Sequence, residues 1–126
     1  MVEVATPAPE PAPSVSQTVT GSKEDWMTQA GIPQSEWTYV DYIISHESHW
    51  CPTVWNGEVG CPTYHGTNRY KAYGLCQALE PSKMASAGDD WATNPITQLK
   101  WCHGYAISRY GSWANAKVFW INNRYW

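Results

Sequence analysis

The features of a membrane or nucleic-acid-binding protein are missing from this sequence. No stretch approaches the roughly 20 consecutive apolar residues that a membrane-spanning helix requires. The net charge is -3, and residues 37–126 are close to neutral, with six acidic and seven basic side chains. No basic stripe is therefore present that could follow a phosphate backbone. We expect no membrane span and no nucleic-acid partner.

Phenylalanine is almost absent, with one Phe against nine Trp and eight Tyr. Rings with a polar edge suit surfaces that are partly wet, and such rings often line sugar-binding clefts. Packing in or near the core is still the more common role for any single ring. The composition favours a sugar-binding surface without indicating which rings form it.

The sequence has no Cys-x2-Cys metal pattern, because Cys51, Cys61, Cys76 and Cys102 are separated by nine, fourteen and twenty-five residues. Two disulfides explain the cysteines better than four buried thiols do. Of the three possible pairings we favour Cys51–Cys61, closing a loop with Gly and Pro, and Cys76–Cys102, tying the next segment to a later helix. Disulfides indicate an oxidising compartment, so we expect a secreted, extracellular protein.

The N-terminus lacks the basic and apolar regions of a secretory signal. Either the protein is not exported by that route, or the sequence begins after a removed signal, and the cysteines favour the second. Residues 1–21 are rich in Pro, Ala, Ser and Thr, and large apolar groups are nearly absent, so ordering would not repay its entropy cost. We predict a disordered, semi-stiff linker at 1–21 and one compact domain at 22–126.

Helical patterns dominate the rest of the chain. Ser22 and Asp25 form the pattern of a capping box that opens a short helix, and Gly31 ends it. Pro33 begins a second helix, which stops near Ser48.

A long loop follows that second helix and runs to Tyr70. Three further helices are predicted at residues 81–87, 94–110 and from 112 through 120. Residues 73–79 alternate too briefly for a strand, and we expect an extended segment packed on Leu75 and Leu79. The aromatic C-terminal end should be packed as well. The fold class is therefore all-α, with five to six helices and a long disulfide-closed loop.

The second predicted helix carries a carboxylate on its apolar face. At about 100° per residue, Trp37, Val40, Ile43 and Ile44 fall on one arc, and Glu47 projects between Val40 and Ile43. Desolvating a charged carboxylate costs several kcal/mol, so such a group has a raised pKa, an ion-pair partner or a chemical role.

The structural explanation for Glu47 is an ion pair with Arg109 or Arg124 from a later helix, since its own helix offers no basic partner. A zinc site on His46 and His49 is a lesser alternative, because the second His comes one residue too early for a His-Glu-x-x-His motif and no third ligand is evident. Ser-His-Asp chemistry is weaker still, since no Gly-x-Ser-x-Gly elbow appears. We expect no metal and no cofactor.

Residues 37–126 resemble the lysozyme-like lytic transglycosylases, and most closely the small secreted transglycosylase-like domains of bacteria. The resemblance rests on Tyr-Ile-Ile-Ser-His-Glu-Ser-His-Trp at 42–50, Ala-Tyr-Gly-Leu-Cys-Gln at 72–77, Pro-Ser-Lys-Met at 81–84, and the stretch 90–95. Its most specific pieces are the Glu-Ser at a helix end and the Gly-Leu-x-Gln after the loop.

This resemblance implies a lysozyme-like fold and cleavage of the β-1,4 bond between N-acetylmuramic acid and N-acetylglucosamine in peptidoglycan, leaving a 1,6-anhydro sugar. Glu47 matches the catalytic acid, which then acts as the base. Ser48 matches the serine beside the acid, and Gln77 matches a glutamine that contacts the substrate. The partner is then the glycan strand, and we expect a monomer associated with the cell wall.

Three aromatic or amide side chains are further candidates for substrate contact. Tyr73 is positioned beside the Gly-Leu-x-Gln and is expected to stack on a sugar ring or to pack. The family's later Ala-Tyr-Asn motif is replaced by Phe-Trp-Ile-Asn at 119–122, which leaves Trp120 and Asn122 as candidates.

Two alternative functions are compatible with the same residues. Ordinary glycosidases use two carboxylates; if Glu58 reached the cleft, the protein would be a hydrolysing lysozyme. Asp89 and Asp90 are more simply solvated residues. The other alternative is a non-catalytic cell-wall-binding surface module.

Overall fold

A computed structural model describes residues 21–126 of the chain. Its four α-helices are α1 (Lys23–Gln29), α2 (Trp37–Ser48), α3 (Pro95–Tyr110) and α4 (Trp113–Asn123). Two 3-10 segments, Gln34–Glu36 and Pro81–Ala87, complete the regular structure. The described residues contain no strand, and the predicted all-α class is confirmed at this level. Apart from Gly21, the predicted linker lies outside them.

Capping side chains determine where the helices begin. The capping box of Ser22 and Asp25 is formed at the start of α1. The side chain of Asn94 accepts a hydrogen bond from the backbone of α3, and that of Ser112 does the same for α4. These interactions satisfy backbone donors that a helix N-terminus otherwise leaves unpaired. The three predicted starts are confirmed.

Two predicted helices differ in type or boundary. Pro33 begins only the 3-10 segment Gln34–Glu36, and α2 itself starts at Trp37. Residues 81–87 have the predicted bounds, but they form a 3-10 helix. Such short helical pieces are typical of connectors, and their identity as α or 3-10 depends on packing more than on sequence pattern.

The main core is built from one face of each α-helix. α4 packs against both α2 and α3, and α1 packs against α3. The apolar arc of α2 is buried as predicted, with Val40, Ile43 and Ile44 at 0% exposure. A smaller cluster lies under the long loop and comprises Tyr73, Ala78, Met84, Trp91 and Ala92.

Both predicted disulfides are formed. Cys51 is bonded to Cys61 within the long loop, and Cys76 is bonded to Cys102 on α3. The second bond lies in the main core, where it joins the loop to the helices. The predicted pairing is confirmed, and none of the four cysteines is free.

Two packing predictions need correction. Leu79 is 53% exposed, because residues 73–78 form a tight reversal in which Tyr73 and Ala78 pair with each other and Leu79 emerges beyond it. Of the C-terminal aromatics, Trp126 packs on Trp113 with ring centroids 5.3 Å apart, whereas Tyr125 is 56% exposed. No helix between residues 21 and 126 has both the length and the apolar character needed to cross a bilayer.

Candidate active site

An open cleft of about 440 Å³ lies at the C-terminal end of α2. Residues 46–49 form one side, residues 54–60 of the disulfide-closed loop form another, and Gln77 completes the lining. Glu47, Ser48, Gln77 and Glu58, which were identified from sequence, all border this one cleft. The long loop therefore brings together residues that are far apart in the chain.

Glu47 is a half-buried carboxylate held by one strong hydrogen bond. The indole Nε1–H of Trp120 donates to Glu47 Oε2 at 2.7 Å, from α4 to α2. Burial raises the pKa of the Glu47 carboxyl, while the Trp120 hydrogen bond and the nearby His46 oppose that rise. A carboxyl group in this setting keeps its proton more readily than an exposed one does.

The ion pair suggested for Glu47 is not formed. Arg109 donates from Nε to the Tyr110 hydroxyl at 3.0 Å, and Arg124 lies over the Trp120 ring at 5.5 Å. Within the described part of the chain, no basic side chain makes a salt bridge with Glu47. The burial of this carboxylate is therefore not explained by charge pairing.

Aromatic rings in tilted and edge-on contact surround the hydrogen bond between Trp120 and Glu47. The His46 ring lies 4.7 Å from that of Trp120 and 4.3 Å from that of Tyr42. Its Nδ1–H donates to the Tyr42 carbonyl at 2.6 Å, which fixes the ring orientation. Trp120 itself is only 8% exposed. Trp120, which was predicted to contact the substrate, instead holds the Glu47 carboxylate in place.

Ser48 attaches the end of α2 to the reversal at residues 73–78. Its hydroxyl donates to the Leu75 carbonyl at 2.7 Å and is buried. The backbone N–H of Leu75 in turn donates to Gln98 Oε1 at 2.9 Å. Gly74 has φ +85°, and a Cβ there would lie 2.7 Å from the same Gln98 oxygen. Only glycine fits this position, because a side chain would meet both strain and a clash.

Gln77 faces the cleft from that anchored reversal. Its own φ is +55°, a rare conformation for a non-glycine residue. The side-chain Nε2–H donates to the carbonyls of Gly74 and Val54 at 3.0 and 3.2 Å. No described donor reaches its Oε1. The amide is therefore fixed by the backbone, with its oxygen free to accept a hydrogen bond in the cleft.

Glu58 also borders the cleft, but both of its oxygens are engaged. Oε1 accepts the backbone N–H of Trp55 at 2.7 Å, and Oε2 lies 2.8 Å from His65 Nε2. The His65 ring packs on Trp55 with centroids 4.3 Å apart and the planes tilted by 40°. These contacts hold the loop wall in shape.

The chain direction after α2 is set by Asp41. His49 and Trp50 both have positive φ, and the Trp50 indole N–H donates to Asp41 Oδ1 at 2.7 Å. Lys23 and Ser45 bond the same oxygen, at 2.8 and 3.1 Å. Burial raises the pKa of Asp41, but these three hydrogen bonds and the Lys23 charge outweigh it and lower the pKa overall. Asp41 therefore stays ionised and directs the loop toward the cleft.

Two candidate residues lie away from the cleft. The Tyr73 side chain is completely buried, and its hydroxyl donates to the Ala92 carbonyl at 2.6 Å, so the ring packs in the smaller core and has no surface for a sugar. Asn122 is exposed on α4 and does not line the cleft. Of the two roles expected for Tyr73, the structure shows packing and not contact with a sugar, since the reversal directs its ring inward.

Comparison with family models, with curated proteins and with solved structures found no match to this chain. The chemistry of the cleft residues is therefore the basis for a functional proposal. Among residues 21–126, no three His, Cys, Asp or Glu side chains are grouped so that they could hold a metal ion.

Sequence reasoning missed three residues that shape the site. Gln98 is fully buried and donates from Nε2 to the carbonyls of Pro52 and Trp91, both at 2.8 Å. Its position, one helical turn before Cys102 on the apolar face of α3, was a usable signal, because the same periodicity identified Glu47. Trp55 and His65 lie in a loop without periodicity, and no comparable signal marked them.

Proposed function

We propose that the protein is a peptidoglycan lytic transglycosylase in which Glu47 is the sole general acid and base. The observation that carries the proposal is a half-buried carboxylate with a raised pKa and no salt bridge among the described residues, held by an indole at an open cleft. Raised carboxyl pKa values at clefts are typical of catalytic acids. The two disulfides favour an extracellular setting, where the cell wall is found.

The reaction requires Glu47 to act twice. The protonated carboxyl first gives its proton to the glycosidic oxygen, and the N-acetylglucosamine side leaves as an alcohol. The resulting carboxylate then removes the proton from the C6 hydroxyl of the muramic residue, whose oxygen bonds to C1. Glu47 ends protonated, as it began. The reaction consumes no water and requires no second carboxylate. The fixed amide of Gln77 is suited to accept a hydrogen bond from the substrate.

Hydrolysis by a second carboxylate is the other candidate, because Glu58 borders the same cleft. A glycosidase base must activate water, and a nucleophile must reach the sugar carbon. Both oxygens of Glu58 are already bonded, to Trp55 and His65. That engagement favours the transglycosylase, and Glu58 is assigned to holding the loop.

Analysis of the products tests both reactions at once. The purified, oxidised protein is incubated with peptidoglycan, and the soluble fragments are identified by mass spectrometry. We expect 1,6-anhydromuramic ends from the wild type and from Glu58→Gln, and no fragments from Glu47→Gln. Glu24→Gln, at an exposed site on α1, is the matched control and should match the wild type.

Other outcomes would identify a different function. Reducing muramic ends that disappear in Glu58→Gln would establish a hydrolysing lysozyme. Retention of the protein on peptidoglycan without any released fragment would indicate the wall-binding module. Unchanged product release by Glu47→Gln would remove the proposed role of that residue.

A further inference from the structure

A second, smaller pocket also borders Gln77, and Glu47 does not line it. Its volume is about 120 Å³, against 440 Å³ for the cleft, so it can hold one small chemical group but not a segment of a glycan strand. Residues 76–79, Lys83, Trp101, Tyr105 and Trp126 line it. Gln77 lines both spaces, so the pocket and the cleft adjoin at that residue.

Three aromatic side chains line the pocket in a way that suits contact with a carbohydrate. The rings of Trp101 and Tyr105 are stacked, with centroids 5.2 Å apart and planes at 18°. Trp126 meets Tyr105 edge-on at 5.1 Å, and its indole N–H donates to the Cys76 carbonyl at 3.2 Å. The Arg109 guanidinium also lies over the Tyr105 ring, at 5.8 Å. Aromatic side chains fixed in this way present apolar carbon atoms to the C–H groups of a sugar or a short alkyl group.

The pocket also contains an unpaired cation. Lys83 is half-exposed, and its ammonium group forms no ion pair or hydrogen bond with any residue between 21 and 126. Three of the other lysines are engaged: Lys23 pairs with Asp41, Lys71 lies over the Trp55 ring, and Lys117 lies over the Tyr42 ring. Lys100 is also without an ion pair among the described residues, but it is exposed on α3 and lines neither the pocket nor the cleft. A free ammonium in a pocket lined by aromatic side chains is complementary to a small group that is apolar at one end and anionic at the other.

We propose that this pocket binds the free lactyl carboxylate of a muramic acid residue, with the methyl group against the rings and the carboxylate on Lys83. That the glycan is peptidoglycan rests on the proposed function. The pocket adds a preference within that substrate, for muramic acid whose lactyl carboxylate is not joined to a peptide. The reaction class that supplies such a strand is hydrolysis of the amide bond between the lactyl group and the peptide.

The test uses two sugars that differ by the lactyl ether alone. N-acetylmuramic acid and N-acetylglucosamine are titrated into the ¹⁵N-labelled, oxidised full chain, and the indole N–H signals are followed by NMR. The Trp101 and Trp126 signals are assigned with Trp101→Phe and Trp126→Phe. We expect N-acetylmuramic acid to shift both signals, with N-acetylglucosamine binding about tenfold more weakly for lack of one charge-assisted contact.

Lys83→Gln should remove the preference between the two sugars, while Lys100→Gln, at an exposed position of α3, should keep it. Equal shifts from both sugars, no shifts at all, or a preference that persists in Lys83→Gln would overturn the proposal. Shifts confined to Trp55 and Trp120 would also overturn it, by locating the sugar in the Glu47 cleft. Because neither monosaccharide can be cleaved, these results are independent of whether the protein degrades peptidoglycan.

Discussion

Trp120 and Glu47 are 73 residues apart in the chain, yet the indole Nε1 of one lies 2.7 Å from a carboxylate oxygen of the other. This hydrogen bond joins α4 to α2 at the edge of the cleft. Because the indole can only donate, it fixes the position of one Glu47 oxygen and leaves the other available. Helix packing therefore orients the candidate acid.

Replacing Trp120 with Phe should keep most of the ring packing and remove the donor. The Glu47 oxygen is then less well positioned, and the pKa of its carboxyl rises further, since this hydrogen bond lowers it. We expect muralytic activity to fall by about tenfold or more, and the pH–rate profile to move to higher pH.

The matched control for that variant is Trp37→Phe. The Trp37 indole donates to the Ile32 carbonyl at 2.9 Å, away from the cleft, so it loses a comparable hydrogen bond. Activity and pH profile should stay near those of the wild type. An equal loss in both variants would mean that general destabilisation explains the effect.

Glu47→Gln should be inactive but more stable than the wild type at neutral pH. The raised pKa means that the folded protein binds this proton more tightly than the unfolded chain, whose value is near 4.5. Stability is therefore lost as the pH rises from the unfolded to the folded pKa, and the loss persists above it. Gln avoids this cost and still accepts the Trp120 hydrogen bond.

Thermal unfolding at two pH values measures that difference. We expect Glu47→Gln to unfold a few degrees above the wild type at pH 7.5, and at nearly the same temperature at pH 4. Glu24→Gln, with its exposed side chain, should show no such pH-dependent difference. A lower unfolding temperature for Glu47→Gln at neutral pH contradicts the assignment.

Ser48→Ala should destabilise the fold through the Leu75 carbonyl. The buried hydroxyl donates to that carbonyl at 2.7 Å, and its removal leaves a buried acceptor without this donor. The expected cost is about 1–3 kcal/mol in the free energy of unfolding, measured with urea. Ser108→Ala, exposed on α3, should cost less than about 0.5 kcal/mol. Equal costs would exclude a specific role for the Ser48 hydroxyl.

The two disulfides should contribute unequally to stability and activity. Cys51–Cys61 spans 10 residues, and its removal by double Ser substitution should cost about 2–3 kcal/mol and loosen the cleft wall, so activity falls. Cys76–Cys102 spans 26 residues and is buried, so its removal should cost more. Urea midpoints of both double variants test the order, and the reverse order would refute it.

Local pattern predicted much of the fold because helix boundaries and faces are properties of short segments. Ser22, Asn94 and Ser112 cap their helices as expected, and Gly31 and Gly111 follow helix ends in the left-handed conformation. The boundary of α2 was less predictable. Pro33 can start either an α-helix or a 3-10 helix, and tertiary contacts decide between them.

The candidate site was only partly predictable, since side-chain direction in a reversal has no periodic signal. Tyr73 and Gln77 lie in the same reversal, yet Tyr73 points into the core and Gln77 lines the cleft. Leu79 was expected inside and is outside. Gly74 and Gln77, both within this reversal, have positive φ and redirect the chain in a way that periodicity does not reveal.

The amino-acid sequence by itself determined that Glu47 lies on the buried face of a helix, and it favoured, among three possible pairings, the two disulfides that the structure shows. Both follow from spacing within or between short segments. Only the tertiary structure decided that Trp120 holds the carboxylate, that neither arginine pairs with it, and that Glu58 is bonded to His65. The physical reason is that a 3.6-residue period fixes which face of a helix is buried, whereas the partner across that face depends on how the helices pack.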